Sequence, residues 1–478
     1  MKILFAASEC APFVKTGGLA DVMGALPKAL AARGEEVCVI LPLYKDFAQA
    51  YREKLTHEMY FYINLGWRRQ YCGIETLVEN GVKYIFLDNE YYYARPSVYG
   101  YGGDECERFA FFCRAVLEAI PHIDFIPDII HCNDWQTGLI PVLLRTQYQW
   151  LDLYKDIKTV YTVHNLQYQG VFDINYVEDM LGLGSWMYTA DKLEFYGGCS
   201  FMKGALVYAD KLTTVSPEYA KEITTPYYGE RLDGVIRARG KDMSGIINGI
   251  DTGVYDPHED PAIEQKYCLK SFHLKAKNKA ALQKEMGLDV NPDVPVIGMV
   301  TRLSGQKGFD LVEYALNNIM NLGVQMVVLG TGEERYANLL RWASWRYKGQ
   351  FSAKIEMNLG LADRIYAGAD MYLMPSKFEP CGLSQLIAMR YGTVPIVRET
   401  GGLKDTVQPY NEVEGTGTGF TFYSYNADDM LDAIRRATKT YNDDPAAFKG
   451  IAKRGMAGNY GWDASAEKYL AIYNELVK

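Results

Sequence analysis

The chain has 478 residues, of which 48% are hydrophobic and 23% charged, with a formal net charge of −9. That length exceeds one ordinary hydrophobic core and predicts two or three domains, and the composition is that of a globular protein rather than a disordered or membrane-embedded one. A negative surface repels polyanions, so nucleic acid is excluded as the main partner, leaving a neutral polymer or a small anion in a local basic pocket.

The nine cysteines are odd in number, scattered and free of any C-x-x-C spacing, which favours reduced thiols and a cytoplasmic location over a disulfide framework or a zinc site. The apolar run after Met1 is too short for a signal peptide and meets Glu9 at once. No stretch approaches 18 apolar residues, so no membrane partner is expected. Tyrosine is abundant, at 37 residues. The cluster Tyr91, Tyr92, Tyr93, Tyr99 and Tyr101 suits either stacking on sugar rings or half-buried packing.

In chain order, Lys2 to Ser8 reads as a buried strand, followed by a glycine-containing loop and a helical pattern from Asp21 to Ala32. Val37 to Leu41 is the next strand, a β-loop-α-β opening that predicts a parallel sheet with helices on its faces. Further strands are expected at residues 129–132, Thr159 to Val163 and Lys211 to Val215. A second series has strands at Val296 to Val300, Val324 to Leu329, Met371 to Met374 and Val394 to Val397. Helical patterns alternate with them at Asp310 to Met320, Glu333 to Trp345 and Leu383 to Tyr391. The chain therefore reads as two doubly wound α/β units with a boundary near Asn248: residues 1–245, then 246–460. Fold analogy predicts that a last helix, within 461–478, crosses back to the first unit.

Thr16-Gly17-Gly18-Leu19-Ala20-Asp21 is echoed by Thr400-Gly401-Gly402-Leu403-Lys404-Asp405, each after a strand and opening a helix. A Gly-Gly pair there lets backbone approach a ligand and aims helix N-terminal N–H groups at an anion, while the plain alternative is a tight turn. Lys15 adds a cation beside the first copy. Arg302 and Lys307 lie on a strand-to-helix loop, Thr301 to Gly308, where they would clamp a diphosphate or remain a solvated pair. No G-x-x-x-x-G-K-[ST] and no G-x-G-x-x-G occurs, which argues against a P-loop nucleotidase or a dinucleotide dehydrogenase. Glu379, between a strand and a helix, should project at the carboxyl edge of a sheet, where open α/β folds bind ligands. His164 and the cluster His131-Cys132-Asn133-Asp134-Trp135 end strands in equivalent places. No Asp-x-Asp is present, so a metal bridging a nucleotide diphosphate is not indicated.

Together, Lys15 to Val22, His131 to Trp135, Thr162 to Leu166, Asn248 to Asp251, Arg302 to Gly308 and Phe378 to Leu383 resemble the bacterial glycogen synthase and plant starch synthase family, over nearly the whole chain. The resemblance implies a GT-B fold, two Rossmann-like domains facing across a cleft, with the acceptor on the first and the nucleotide-sugar donor on the second. It implies retaining transfer of α-glucosyl from ADP-glucose to the non-reducing 4-OH of glycogen or a maltooligosaccharide, without metal or other cofactor. By motif, Lys15, Gly17 and Gly18 would meet the donor's phosphate region, and Arg302 and Lys307 would neutralise the leaving diphosphate. Asp21 and Asn248 would hold the nucleotide. Glu379 and the Cys381-Gly382-Leu383 backbone would bind glucose hydroxyls, and His164 would sit near the 6-OH. Asp134, Thr400 and Gly401 complete the expected substrate contacts. Ile387 stands where related retaining transferases carry a second Glu, and Met357 where a base-stacking Tyr is common. A UDP-glucose or small-acceptor transferase, and a silent glucan-binding homologue, are the alternative readings.

Overall fold

A computed structural model describes residues 1–478, which divide into two compact units. The first comprises Met1–Gly249 and Trp462–Lys478, the second Ile250–Gly461. The final helix, Asp463–Val477, thus belongs to the first unit although the chain reaches it last.

The first unit is built on β1 (Lys2–Ala6), β2 (Glu36–Pro42), β3 (Thr56–Leu65), β4 (Arg68–Glu79), β5 (Val82–Asp88), β6 (Ile129–Asn133) and β7 (Lys158–Val163). Three short strands follow, β8 (Val171–Phe172), β9 (Glu194–Phe195) and β10 (Gly198–Ser200), then β11 (Lys211–Thr214) and β12 (Met243–Gly245). The main sheet runs β12-β11-β7-β6-β1-β2-β5-β4-β3, and β8-β10-β9 form a small separate sheet. Strands β1, β6 and β7 are almost wholly buried, as their near-continuous apolar runs require of parallel strands covered on both faces. Strand order reverses between β1 and β6, both of which are parallel to their neighbours.

The first unit's sheet is parallel except at one edge, where β4 pairs antiparallel with both β5 and β3. The reason is local. Asn80 and Gly81, both at positive φ, close the β4–β5 turn, and Gly66 at φ 56° precedes Trp67 in the β3–β4 turn. Two-residue connections of this kind return a strand beside itself and cannot make a parallel crossover. The tyrosine cluster divides: Tyr92 and Tyr93 are fully buried, with the Tyr92 hydroxyl on Glu107 at 2.5 Å, so packing wins there, while Tyr91 stays exposed.

The second unit carries β13 (Val296–Val300), β14 (Gln325–Leu329), β15 (Phe351–Lys354), β16 (Met371–Met374), β17 (Val394–Arg398) and β18 (Phe420–Phe422). They form an all-parallel sheet in the order β15-β14-β13-β16-β17-β18. This is the doubly wound arrangement, with its switch point between β13 and β16, where ligands of open α/β sheets bind at the strands' carboxyl ends. The helix Leu359–Gly368 packs closely here, since a Cβ on Gly298 of β13 would lie 2.7 Å from Ile365.

Candidate functional site

Most of the residues singled out from the sequence lie at the two switch points or next to them. In the first unit, the Lys15 loop follows β1, Asp134 follows β6 and His164 follows β7. In the second, Arg302 and Lys307 follow β13, Glu379 follows β16 and Thr400 follows β17.

The Lys15 loop is organised from within, by a residue that its motif does not include. Glu9 is buried, and its carboxylate accepts the backbone N–H of Thr16 at 2.5 Å, the N–H of Gly17 at 3.1 Å and the Thr16 hydroxyl at 3.0 Å. The Tyr99 hydroxyl adds a fourth contact at 3.1 Å. An internal anion thus fills the nest ahead of the helix Gly18–Ala31. The Gly17 N–H, expected to face the donor's phosphate region, donates to Glu9 in this structure. Gly17 is extended, at φ −155°, and a Cβ there would meet nothing within 4 Å. Lys15 instead projects its ammonium onto Asp21 at 2.6 Å, with both side chains partly exposed. Burial raises the Asp21 carboxyl above its ordinary value, outweighing the opposing pull of Lys15. Asp21, expected to hold the nucleotide, is paired with Lys15 here.

Asp134 sits immediately past β6 with φ 57° and ψ 179°, a conformation costly for a side-chain-bearing residue. Its carboxylate accepts the N–H of His164 at 2.8 Å, and its own N–H donates to Thr162 at 3.0 Å, so β6 and β7 hold the strained residue between them. Burial pushes the Asp134 carboxyl up to about 7, against the lowering effect of the His164 and Asn165 N–H groups. The His164 ring meets Asn133 Oδ1 through Nε2 at 2.9 Å, and burial brings its imidazole down to about 3, so it is neutral near pH 7. Asn133 is in turn fixed by donating to the carbonyls of Ala6 and His131, both at 3.1 Å. Asn248, near the end of this unit's first segment, is buried, and its Oδ1 has no hydrogen-bond partner.

In the second unit two loops are laced together. Gly308 adopts φ 79°, and a Cβ there would stand 2.2 Å from the Pro375 carbonyl, while the Lys377 N–H donates to Gln306 at 2.8 Å. That close approach places the Lys307 ammonium on Glu379 Oε2 at 2.5 Å, where the Ser376 hydroxyl also donates at 3.0 Å. Both partners of the ion pair are largely buried, whereas Arg302 is exposed. The Thr400 echo serves the same residue from behind. Gly401 has φ 45°, a Cβ there would lie 2.0 Å from the Glu379 carbonyl, and the Gly402 N–H donates to that carbonyl at 3.1 Å. Only glycine fits such an approach. Gly382, at φ 71°, holds a left-handed conformation that side-chain-bearing residues rarely adopt. Leu383 precedes the helix Ser384–Arg390, and Cys381 is buried. Met357 is 75% exposed. The two glycine turns share a sequence and differ in role, since one wraps a buried carboxylate and the other backs a Glu main chain.

Residues 2–238 match the profile of the starch synthase catalytic domain, and residues 284–454 that of glycosyl transferases group 1. The chain is 52% identical over 478 residues to a glycogen synthase of Geobacillus thermodenitrificans, covering 100% of this chain and 98% of the relative. The chain belongs to the glycogen and starch synthase family. A glycogen synthase of Clostridium novyi is 50% identical, covering 100% of this chain and 99% of the relative. Among solved structures, the catalytic domain of starch synthase IV from Arabidopsis thaliana, bound to ADP and acarbose, superposes with a TM-score of 0.94 at 31% identity, covering 100% of this chain and 99% of that one. A sucrose-phosphate synthase from Thermosynechococcus elongatus shares the fold, with a TM-score of 0.62 at 18% identity, covering 99% and 98% of the two chains. The protein is a glycosyltransferase of the GT-B fold. No helix is long and apolar enough to cross a membrane.

Sequence reasoning missed Glu9 and Ser376, and named Asn133 only within the His131 to Trp135 cluster, without a role. A carboxylate directly after an apolar strand, at Ser8-Glu9, was the signal for the first. Nothing in the local sequence marks Ser376 or the role of Asn133, which both act by holding neighbours in space.

Proposed function

We propose that the protein transfers the α-D-glucosyl group of ADP-glucose to the non-reducing 4-OH of an α-1,4-glucan, releasing ADP, with retention at the anomeric carbon and without a metal. The observation that carries this reading is the Lys307–Glu379 pair at the carboxyl ends of β13 and β16, with exposed Arg302 on the same loop as Lys307. Glycosyl transfer develops an oxocarbenium-like centre and an anionic leaving group together, and fixed donors at the developing charge are the largest single source of such catalysis. Arg302 and Lys307 neutralise the departing diphosphate. Glu379 presents its carboxylate to glucose hydroxyls, with Lys307 and Ser376 setting its orientation. Neutral His164 serves as a hydrogen-bonding partner of the sugar near its 6-OH rather than as a cation. Lys15, paired with Asp21 in this structure, is the first unit's candidate contact for a phosphate, and Asn248 a candidate contact for the nucleotide.

Glu379 has Oε2 held by Lys307 and Ser376, and no second carboxylate is paired with it as double displacement by a glycosidase would require. Front-face attack, with a leaving phosphate oxygen taking the acceptor's proton, accounts for retention without it. The test compares ADP-glucose with UDP-glucose on glycogen in excess chelator, reading the anomeric configuration of the product by NMR. Transfer from ADP-glucose to an α-linkage, unaffected by chelator, is expected; inversion, or loss of rate on chelation, would overturn the mechanism. Exposed Met357 favours a second reading in which UDP-glucose is also accepted, because a flexible thioether discriminates bases less sharply than a stacked ring.

A further inference from the structure

Arg108 is a cation with no solvent-exposed surface, and the site described above does not use it. It lies on the helix Asp104–Ala119, and its carboxylate partner, Glu105, stands 3.8 Å away, too far for a hydrogen bond. A buried charge so loosely paired is costly, and an apolar side chain of similar volume would fill the space at less cost. What the guanidinium supplies is shape. Its Nε donates to the Tyr92 carbonyl at 2.8 Å and its Nη1 to the Val98 carbonyl at 3.1 Å. The Tyr101 ring covers it, 4.8 Å from the guanidinium carbon. One planar fork thus spans the chain from Tyr92 to Val98, a reach that a single-point donor lacks.

Glu105 closes the same clamp from the helix's first turn. Its carboxylate accepts the Gly100 N–H at 2.7 Å and the Tyr101 N–H at 3.4 Å. Within the loop, the Ser97 N–H donates to the Tyr101 hydroxyl at 2.9 Å, and the Ser97 hydroxyl to the Tyr99 carbonyl at 2.7 Å. The residue held between these anchors is Tyr99. Its hydroxyl meets Ser8 Oγ at 2.6 Å and donates to Glu9 at 3.1 Å. Glu9 in turn holds the N–H groups of Thr16 and Gly17, so the contacts run without a gap from Arg108 to the Lys15 loop. Glu9 also lies near Asp134, whose carboxyl is raised chiefly by burial and, to a smaller extent, by the Glu9 charge. With Tyr99 displaced, the Glu9 carboxylate loses one of its donors and is freer to turn away from the loop.

We propose that Arg108 is a positioning residue for the Lys15 loop, acting through Tyr99 and Glu9 without touching substrate. The proposal rests on the reading that the Lys15 loop meets the donor's phosphate region. Loosening the clamp then weakens binding of the nucleotide sugar and leaves binding of the glucan alone, which is a change in one KM and not the other.

The test measures kinetics with ADP-glucose and glycogen for wild type, Arg108→Lys, Tyr99→Phe and the double variant. Arg108→Lys keeps the charge and the stem and loses only the fork. Its donor KM should rise about tenfold, the effect of one lost hydrogen-bond anchor, with the glycogen KM unchanged. Tyr99→Phe, which loses a hydroxyl and no packing, should match it. The double variant should be no worse than either single one, because both cut the same chain of contacts. Additive losses would overturn the proposal, since the two residues would then act independently. So would wild-type kinetics in Arg108→Lys, or a lower kcat with both KM values unchanged, which is what a smaller folded fraction produces. Hydrogen exchange reads the loop without any reaction: residues 15–18 should exchange about tenfold faster in both single variants, at a urea midpoint near that of wild type. Unchanged exchange would refute the clamp. The two readings fail separately. A wild type inactive with ADP-glucose, whose loop exchange still quickens in Arg108→Lys, sinks the reaction and keeps the clamp; a wild type that transfers glucose, with the variant's loop exchange unchanged, does the reverse.

Discussion

At the scale of single residues, two glycines in matching sequence contexts should respond oppositely to the same substitution. Gly401→Ala forces a side chain within 2.0 Å of the Glu379 carbonyl at a positive φ, and should destabilise the second unit by roughly 2–4 kcal/mol while displacing Glu379. Gly17→Ala enters open space from an extended backbone and should change stability by less than about 0.5 kcal/mol. Urea titrations of the two variants check this directly. Asp134 supplies a pH signature. Its native carboxyl, raised by burial to about 7, keeps its proton over a range in which the unfolded chain has lost it. Protein stability from this group therefore falls as pH rises from about 4 to about 7 and levels off above. Activity should carry an inflection near pH 7 that Asp134→Asn removes, seen in kcat/KM profiles of both proteins. An unchanged inflection in the variant would assign it to another group.

Among the elements, the helix Asp463–Val477 is joined to the first unit's sheet through a buried polar chain. The Tyr473 hydroxyl meets His131 Nδ1 at 2.6 Å, His131 Nε2 meets the Thr162 hydroxyl at 2.5 Å, and Thr162 meets Thr213 at 2.5 Å. Phe5 and Tyr469 pack against the same imidazole. Tyr473→Phe leaves one ring nitrogen of a fully buried His131 unpartnered, and should cost about 1–3 kcal/mol in denaturant unfolding. Burial lowers the His131 imidazole to about 3, well below its unfolded value. The unfolded chain thus takes up a proton that the native state refuses, and stability contributed by neutral His131 is complete above about pH 6.5 and lost as pH falls toward 3. Melting temperature should decline over that window less steeply in His131→Gln, provided the variant folds with native-like circular dichroism.

For the whole molecule, the order of the chain and the order of its units disagree, because residues 462–478 complete the unit that residues 1–249 began. Truncation after Gly461 strips Trp462, Ala466, Tyr469 and Tyr473 from a core in which all four are buried. Hydrogen-exchange protection should collapse in β1 and β6 while persisting in β13, β14 and β16. Equal loss in both units would show that they fold as a single cooperative block.

Much of this was legible in the linear sequence. Apolar runs of four to six residues marked β1, β6, β7, β13, β16 and β17 with end errors of two residues at most, because strands buried on both faces need continuous apolar side chains. Loops after those strands carry Lys15, Asp134, His164, Arg302, Lys307 and Glu379, so the strand ends already point to the candidate contacts in this fold. The antiparallel edge strands went unread, since β3 and β4 are half exposed and alternate with polar residues, and their short turns were the better signal. Tertiary structure alone decided what each polar group is paired with. The Lys15 motif contains no hint that Glu9 consumes its N–H donors, nor does Thr400-Gly401-Gly402 announce that its glycines back the main chain of Glu379. Periodicity and propensity act within about ten residues, whereas a buried carboxylate takes whichever donors the packed chain brings within about 3 Å, and that choice exists only once the sheet has formed.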